Sequence, residues 1–110
     1  DILIGNGGDD AIYSRMGVDV IDGGTGVDLW NADKSAASAA QPIVLDLTLT
    51  GVQSSYMGGG TVRGIERVEL TTGAGNDVIT TRGEFLADSI TTGAGNDTIT
   101  IVNGRDTAVM

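Results

Sequence analysis

The sequence predicts an all-β protein, a parallel β-roll or flattened β-solenoid in two repeat blocks joined by an irregular segment. Three observations carry that prediction. Asp1, Asp10, Asp19 and Asp28 stand nine residues apart, and Gly8, Gly17 and Gly26 keep the same step. One place in each nonapeptide, two after the Asp, holds a large apolar residue: Leu3, Ile12, Ile21 and Trp30. The segment TTGAGNDVIT at 71–80 returns as TTGAGNDTIT at 91–100 with a single change. A register this strict marks a repeat architecture, whose units bury their apolar faces only by stacking on one another.

Taken in order, residues 5–13 (GNGGDDAIY), 14–22 (SRMGVDVID) and 23–31 (GGTGVDLWN) each read as a turn of six followed by a strand of three. The Asp is the sixth position and the apolar residue the eighth, so Trp30 is assigned to the core. Residues 1–33 form the first block. Residues 34–63 are an atypical intervening segment: AASAA at 36–40 reads as a surface loop or one helical turn, and the alternation Ile43, Leu45, Leu47, Leu49 as an ordinary amphipathic strand. Asp46 lies 18 residues after Asp28, but Pro42 and Val44 fill the glycine positions, so it is not assigned as a ligand. Residues 64–110 form the second block, in which GEFLADSIT at 83–91 and IVNGRDTAV at 101–109 keep Asp88 and Asp106 in the sixth place. Here Asp77, Asp88, Asp97 and Asp106 are spaced 11, 9 and 9. The 20-residue step from Asp77 to Asp97 therefore requires a two-residue bulge, placed around Thr81 and Arg82. Both ends fall inside a repeat, so the chain is expected to be part of a longer protein with adjoining domains.

Composition narrows the function classes. The 110 residues are one domain's worth. A net charge of −9 repels nucleic acid and anionic lipid. Without His or Cys, imidazole catalysis, thiolate chemistry, zinc sites and disulfides are excluded. No apolar run reaches membrane-spanning length, so no membrane insertion is expected. The GNGG and GAGN fragments lack the GK[ST] of a phosphate loop.

The chemistry follows from where the acids sit. Eight of the twelve Asp residues occupy the sixth position. Successive turns alternate between the two edges of a flattened coil, so turns 18 residues apart stack at about 4.8 Å. Carboxylates at that distance repel by roughly 3 to 4 kcal/mol per pair at an effective dielectric near 20, and a rank of them calls for a cation. Glycine at the second and fourth positions lets the backbone adopt positive φ and aim carbonyls into one hollow. An all-oxygen, flexible site favours Ca²⁺ over Mg²⁺ and over transition metals.

These residues resemble the RTX, or haemolysin-type, calcium-binding repeats, whose nonapeptide G-G-x-G-x-D-x-U-x is best matched by GNGGDDAIY and GGTGVDLWN. The resemblance implies a ligand set of the second and fourth carbonyls plus the Asp of one turn, with the first and third carbonyls plus the Asp of the next turn on the same edge. One site would then use the Asn6 and Gly8 carbonyls, Asp10, the Gly23 and Thr25 carbonyls, and Asp28. The other would use the Gly73 and Gly75 carbonyls, Asp77, the Thr92 and Ala94 carbonyls, and Asp97. The turns SRMGVD, GEFLAD and IVNGRD lack glycine at one or more of these places, so Asp19, Asp88 and Asp106 belong to weak or absent sites. Of these, Asp88 and Asp106 form the best extra pair, with Asn103 and Gly104 able to turn. Glu66 aligns with the sixth position through Gly64 and is assigned a salt-bridging or capping role.

The resulting expectation is a non-enzymatic module that binds structural Ca²⁺ and couples folding to calcium outside the cell. The resemblance further implies a bacterial, extracellular or cell-surface protein exported by type I secretion. Two alternatives stay open. One is an adhesion surface for glycan or ice, built from outward rows such as Thr71, Thr72, Asn76, Thr91, Thr92 and Asn96. The other is a fragment of a polysaccharide-active β-helix enzyme, against which the even spacing of the acids argues.

Overall fold

The computed structural model describes residues 1–15, 17–38, 40–48, 53–56, 60–82, 87–102 and 106–109. Leu49, Leu86, Asn103 and Gly104, to which the sequence assigns an apolar strand position or a role in a turn, lie outside these residues. Among the described residues the regular structure is entirely β: β1 (Ile2–Ile4), β2 (Ala11–Ser14), β3 (Val20–Asp22), β4 (Leu29–Asp33), β5 (Val44–Asp46), β6 (Gln53–Tyr56), β7 (Gly60–Arg63), β8 (Arg67–Thr71), β9 (Val78–Thr80), β10 (Ser89–Thr91), β11 (Thr98–Thr100) and β12 (Thr107–Val109).

The strands stack into two opposed faces. One is a continuous five-stranded sheet in the order β2-β4-β8-β10-β12. The other is divided into a β1-β3-β7-β6 sheet and a β5-β9-β11 sheet. Among the described residues all strand pairs are parallel except β6 with β7. Parallel neighbours require a crossover, and here the crossover is the strand on the opposite face. The 18-residue coil appears directly in the register, with Ile2 beside Val20, Ala11 beside Leu29 and Ser89 beside Thr107. The fold is the parallel β-roll that the sequence predicts.

The eighth positions point inward because a three-residue strand flanked by turns has room for one inward side chain. Ile12, Ile21, Trp30, Ile79 and Ile90 are buried in a single cluster, joined by Leu45, Val62, Val68 and Leu70, with Leu3 and Ile99 packed partly against it. Trp30 is completely buried, and its indole N–H donates to Ser14 Oγ at 2.8 Å, so the one polar atom of the ring is satisfied. Seventh-position residues such as Val20 and Val78 face out.

The intervening segment adds to the roll. Ile43, Leu45 and Leu47 are buried while Val44 and Thr48 are exposed, as the alternation predicts. Strand β5 joins β9, and β7 takes the place beside β3. Ala37, in the stretch read as a surface loop or helical turn, is buried and forms part of a turn. The 20-residue step is present between β8 and β10 and between β9 and β11. Its two extra residues fall in the connection 81–88, which begins with the predicted Thr81 and Arg82. Thr81 is buried there, donating its N–H to Thr100 O and accepting Val102 N–H on Oγ1, each at 2.9 Å.

The inward and outward assignment can be tested on neighbouring residues. Ile79→Ala should destabilise the folded protein by about 2 to 5 kcal/mol through loss of buried contacts. Val78→Ala, on the exposed side of the same strand, should stay within about 0.5 kcal/mol. Denaturant midpoints measured in calcium-containing buffer would give both values.

Candidate metal centre

The alternation of faces creates two edges, each lined by turns that stack along the roll. On one edge, turns lead into the continuous sheet and carry Asp10, Asp28, Glu66, Asp88 and Asp106. On the other, turns lead into the divided face and carry Asp1, Asp19, Asp77 and Asp97. The two glycine-rich pairs, Asp10 with Asp28 and Asp77 with Asp97, therefore lie on opposite edges.

Each pair is tied by the same bond. One oxygen of the later carboxylate accepts the backbone N–H of the earlier Asp: Asp10 N to Asp28 Oδ1 at 2.8 Å, Asp77 N to Asp97 Oδ1 at 2.9 Å, and Asp88 N to Asp106 Oδ1 at 3.0 Å. Further rungs run from Asp28 N to Glu66 Oε2, Ile43 N to Asp77 Oδ1 and Val68 N to Asp88 Oδ1. The second oxygen is a different matter. Oδ2 of Asp10, Asp28, Asp77 and Asp88 is buried and accepts no hydrogen bond. The Thr72 hydroxyl stands beside Asp77 without reaching hydrogen-bond geometry.

The backbone around these oxygens is crowded in a way that only glycine permits. A Cβ on Gly5 would lie 2.6 Å from both Asp10 Oδ2 and the Gly23 carbonyl, and one on Gly23 would lie 2.7 Å from Asp28 Oδ2. The Asn6 and Gly8 carbonyls point along the stack at Gly24 and Gly26, and those of Gly73 and Gly75 at Gly93 and Gly95. Asn6 O also accepts Thr25 N–H at 2.8 Å, leaving one lone pair for another partner. Among the described residues no three acidic side chains gather at one point. A cation on these edges must thus be held mainly by carbonyls, with one or two carboxylates. The orphaned carboxylate oxygens and the hard-oxygen surroundings fit calcium.

The glycines are not all used as the sequence suggests. Fourth-position Gly8, Gly17, Gly26 and Gly95 have positive φ, as does Gly24 at a second position, and Asn6 takes the same conformation at φ 75°. Gly73, Gly75 and Gly93 do not. They are glycine because the neighbouring coil comes too close: a Cβ on Gly73 would sit 2.2 Å from Ala37 O, and one on Gly75 would sit 2.8 Å from Pro42 Cα.

These features agree with the repeat motif, and a family comparison decides the matter. The model of the RTX calcium-binding nonapeptide repeat, in four copies, matches residues 1–29, 69–84 and 85–108. The chain belongs to this family. RTX nonapeptide repeats bind calcium, are structural rather than catalytic, and typically occur in secreted bacterial proteins. Comparison with curated proteins and with solved structures gave no match.

Not every RTX turn here is alike. At the turn 14–19, Asp19 is bound by Lys34, whose Nζ donates to Asp19 Oδ2 at 2.8 Å, while Asp19 Oδ1 accepts the Asp1 nitrogen at 2.9 Å. Glu66 accepts Asp28 N–H and pairs with Arg82 at 3.3 Å, combining the capping and salt-bridging roles assigned to it. Asp46 caps Thr48 N at 2.9 Å. The contribution of Lys34 escapes motif reading because a lysine is foreign to the repeat. Its one signal is that the nine-residue step from Asp28 lands on Ala37, three residues after it.

Burial, the largest influence, raises the pKa of Asp28 and Asp77; nearby Asp10 adds to it at Asp28, and Asp97 at Asp77. Asp88 is raised from its ordinary 3.8 to about 6 by burial and by the Asp106 charge. Asp19 is lowered: burial raises it, but the bond and charge of the buried Lys34 ammonium outweigh that. A carboxyl raised on folding stabilises the fold fully below its unfolded pKa and loses that contribution as pH rises through its folded pKa. The window for Asp88 is 3.8 to about 6. Asp19 acts in the opposite sense only below 3.8. In calcium-free buffer the folded fraction should thus increase as pH falls from neutrality through about 6, and calcium affinity should weaken over the same interval. Circular dichroism and calcium titration across that range would check both.

Proposed function

We propose that this RTX chain is a calcium-dependent folding module: ions bound between Asp10 and Asp28 and between Asp77 and Asp97 turn an acidic, glycine-rich coil into a rigid roll. The buried, unpartnered Oδ2 atoms of Asp10, Asp28 and Asp77 carry this reading. Leaving a buried acceptor unpaired costs about 1 to 3 kcal/mol, more when it is charged, and a cation removes that cost. The ligands are those of the two sets named from the sequence. Asp88 with Asp106 is the candidate third pair, since Asp88 Oδ2 is also orphaned. The blocks 1–33 and 64–110 each contribute one glycine-rich pair, and residues 34–63 join them.

The module is suited to a protein that folds after export. With a dissociation constant of about 0.1 mM, in the range of extracellular modules, a calcium concentration near 2 mM stabilises by about 1.8 kcal/mol per site. Submicromolar calcium contributes almost nothing. Secretion in an unfolded state and folding outside the cell follow from that difference. We assign the chain itself no catalytic role. A glycan- or ice-binding surface is less supported, because Thr72 and Thr92, two of the six residues on which it was based, are buried.

Adding Ca²⁺ to the EGTA-treated chain should convert a disordered far-ultraviolet spectrum into a β-rich one, with Mg²⁺ unable to substitute; an unchanged spectrum would overturn the coupling. Asp10→Ala or Asp97→Ala should weaken calcium binding about tenfold or more, equivalent to 1.4 kcal/mol or above. Asp9 and Asn96 are exposed and sit one position earlier. Asn96→Ala should change stability by no more than about 0.5 kcal/mol. Asp9→Ala also loses the bond its Oδ1 accepts from Val27 N–H at 2.9 Å, a cost of about 0.5 to 1.5 kcal/mol, but calorimetric titration should show near-wild-type calcium affinity for both, unlike Asp10→Ala and Asp97→Ala.

A further inference from the structure

The Lys34 side chain is completely buried, and Asp19 nearly so. An ammonium group has three N–H donors, and three oxygens receive them. They are the Arg15 carbonyl, the Gly17 carbonyl at 3.1 Å and Asp19 Oδ2 at 2.8 Å. In the nonapeptide register, Arg15 is the second position of its turn, Gly17 the fourth and Asp19 the sixth. Those are the same positions whose oxygens, in the glycine-rich turns, are assigned to calcium: Asn6, Gly8 and Asp10.

The next turn in the register, residues 32–37, shows the matching change. Its third position is Lys34 and its sixth, where an Asp would complete the site, is Ala37. The turn still occupies its place in the stack, since Lys34 N–H donates to Thr71 O at 2.7 Å and Ala74 N–H to Ala37 O at 2.9 Å. A divalent ion between two carboxylates and a lysine beside one carboxylate are both locally neutral. The missing second Asp and the added ammonium compensate each other, and Ca²⁺ at this turn would face a buried positive charge.

We propose that Lys34 is a tethered replacement for calcium, its ammonium filling the cation position of the turn 14–19 so that this coil closes without metal. The proposal rests on the calcium-binding reading of the other turns for the meaning of the position, but not for the ion pair itself. Asp19 is thereby a positioning partner for Lys34 and not a calcium ligand.

Two variants test it. Lys34→Met keeps the volume and removes the charge. It should lower the stability of residual structure in EGTA and raise the calcium concentration at half-folding severalfold, without adding a bound ion. The double variant Lys34→Thr with Ala37→Asp copies the third and sixth positions of the turn 23–28. It should bind one calcium ion more than the wild type by isothermal titration and depend on calcium more steeply for folding. Wild-type behaviour of Lys34→Met in both EGTA and calcium would overturn the proposal. So would a double variant with no additional ion, including one that fails to fold in millimolar calcium, because the two cations would then not be interchangeable. If the wild type itself bound no calcium, the proposed function would fail, while the effect of Lys34→Met in EGTA would still report on the internal cation.

Discussion

The fold depends on a divided use of the sixth-position carboxylates of Asp28, Asp77 and Asp88. One oxygen holds the backbone N–H of the coil before it and sets the stacking register. The other is left buried beside main-chain carbonyls. The first bond makes the turns pile up; the second oxygen makes the pile incomplete without a positive charge. Apolar burial cannot substitute, because each three-residue strand sends a single side chain inward. Stacking and cation demand are therefore built from the same residue, and neither can be removed without the other.

Positive charge reaches the edges in two forms. Where glycine opens the turn, as around Asp10, Asp28 and Asp77, carbonyls converge and an ion of the RTX type fits. Where the turn is less open, a protein side chain is supplied: Lys34 to Asp19, and Arg82 to Glu66. A lysine needs no ring of carbonyls beyond the two that, with Asp19 Oδ2, match its donors, which is why it tolerates the glycine-poor SRMGVD turn. Both kinds of cation neutralise buried carboxylates. Only the first depends on the calcium concentration around the chain.

Much of this was legible in the sequence because the repeat ties chemistry to position. The period fixed which residues face in, from Ile12 to Ile90, and which Asp within a block stand in successive turns of one edge. Resemblance to the RTX motif then gave the ion. What escaped was whatever the repeat does not encode. The intervening segment inserts β5 to β7, and the placement of those strands puts the two glycine-rich pairs on opposite edges; no count of spacings reveals that, because it depends on which earlier strand each later one joins. Thr72 and Thr92 look like an outward row by composition, yet they stand at the start of turns where the chain bends inward and are buried. Gly73 and Gly75 look like positive-φ positions and are instead sites of close approach, a distinction set by the coil opposite.

The pairing of β4 with β8 joins residues 38 apart, while the regular coils join residues 18 or 20 apart. Closing the longer span costs only about 0.7 kcal/mol more in chain entropy, so the insertion is cheap at equilibrium. Its effect is on time. Apart from the β6–β7 pair, no described strand meets a partner nearer than 18 residues away, and such topologies fold slowly, on the order of milliseconds to seconds. A chain that must gather distant segments before any contact rewards it spends longer as an open polymer. Under the export proposed above, that delay is itself useful: slowness keeps the chain thin until calcium makes the final closure one-way.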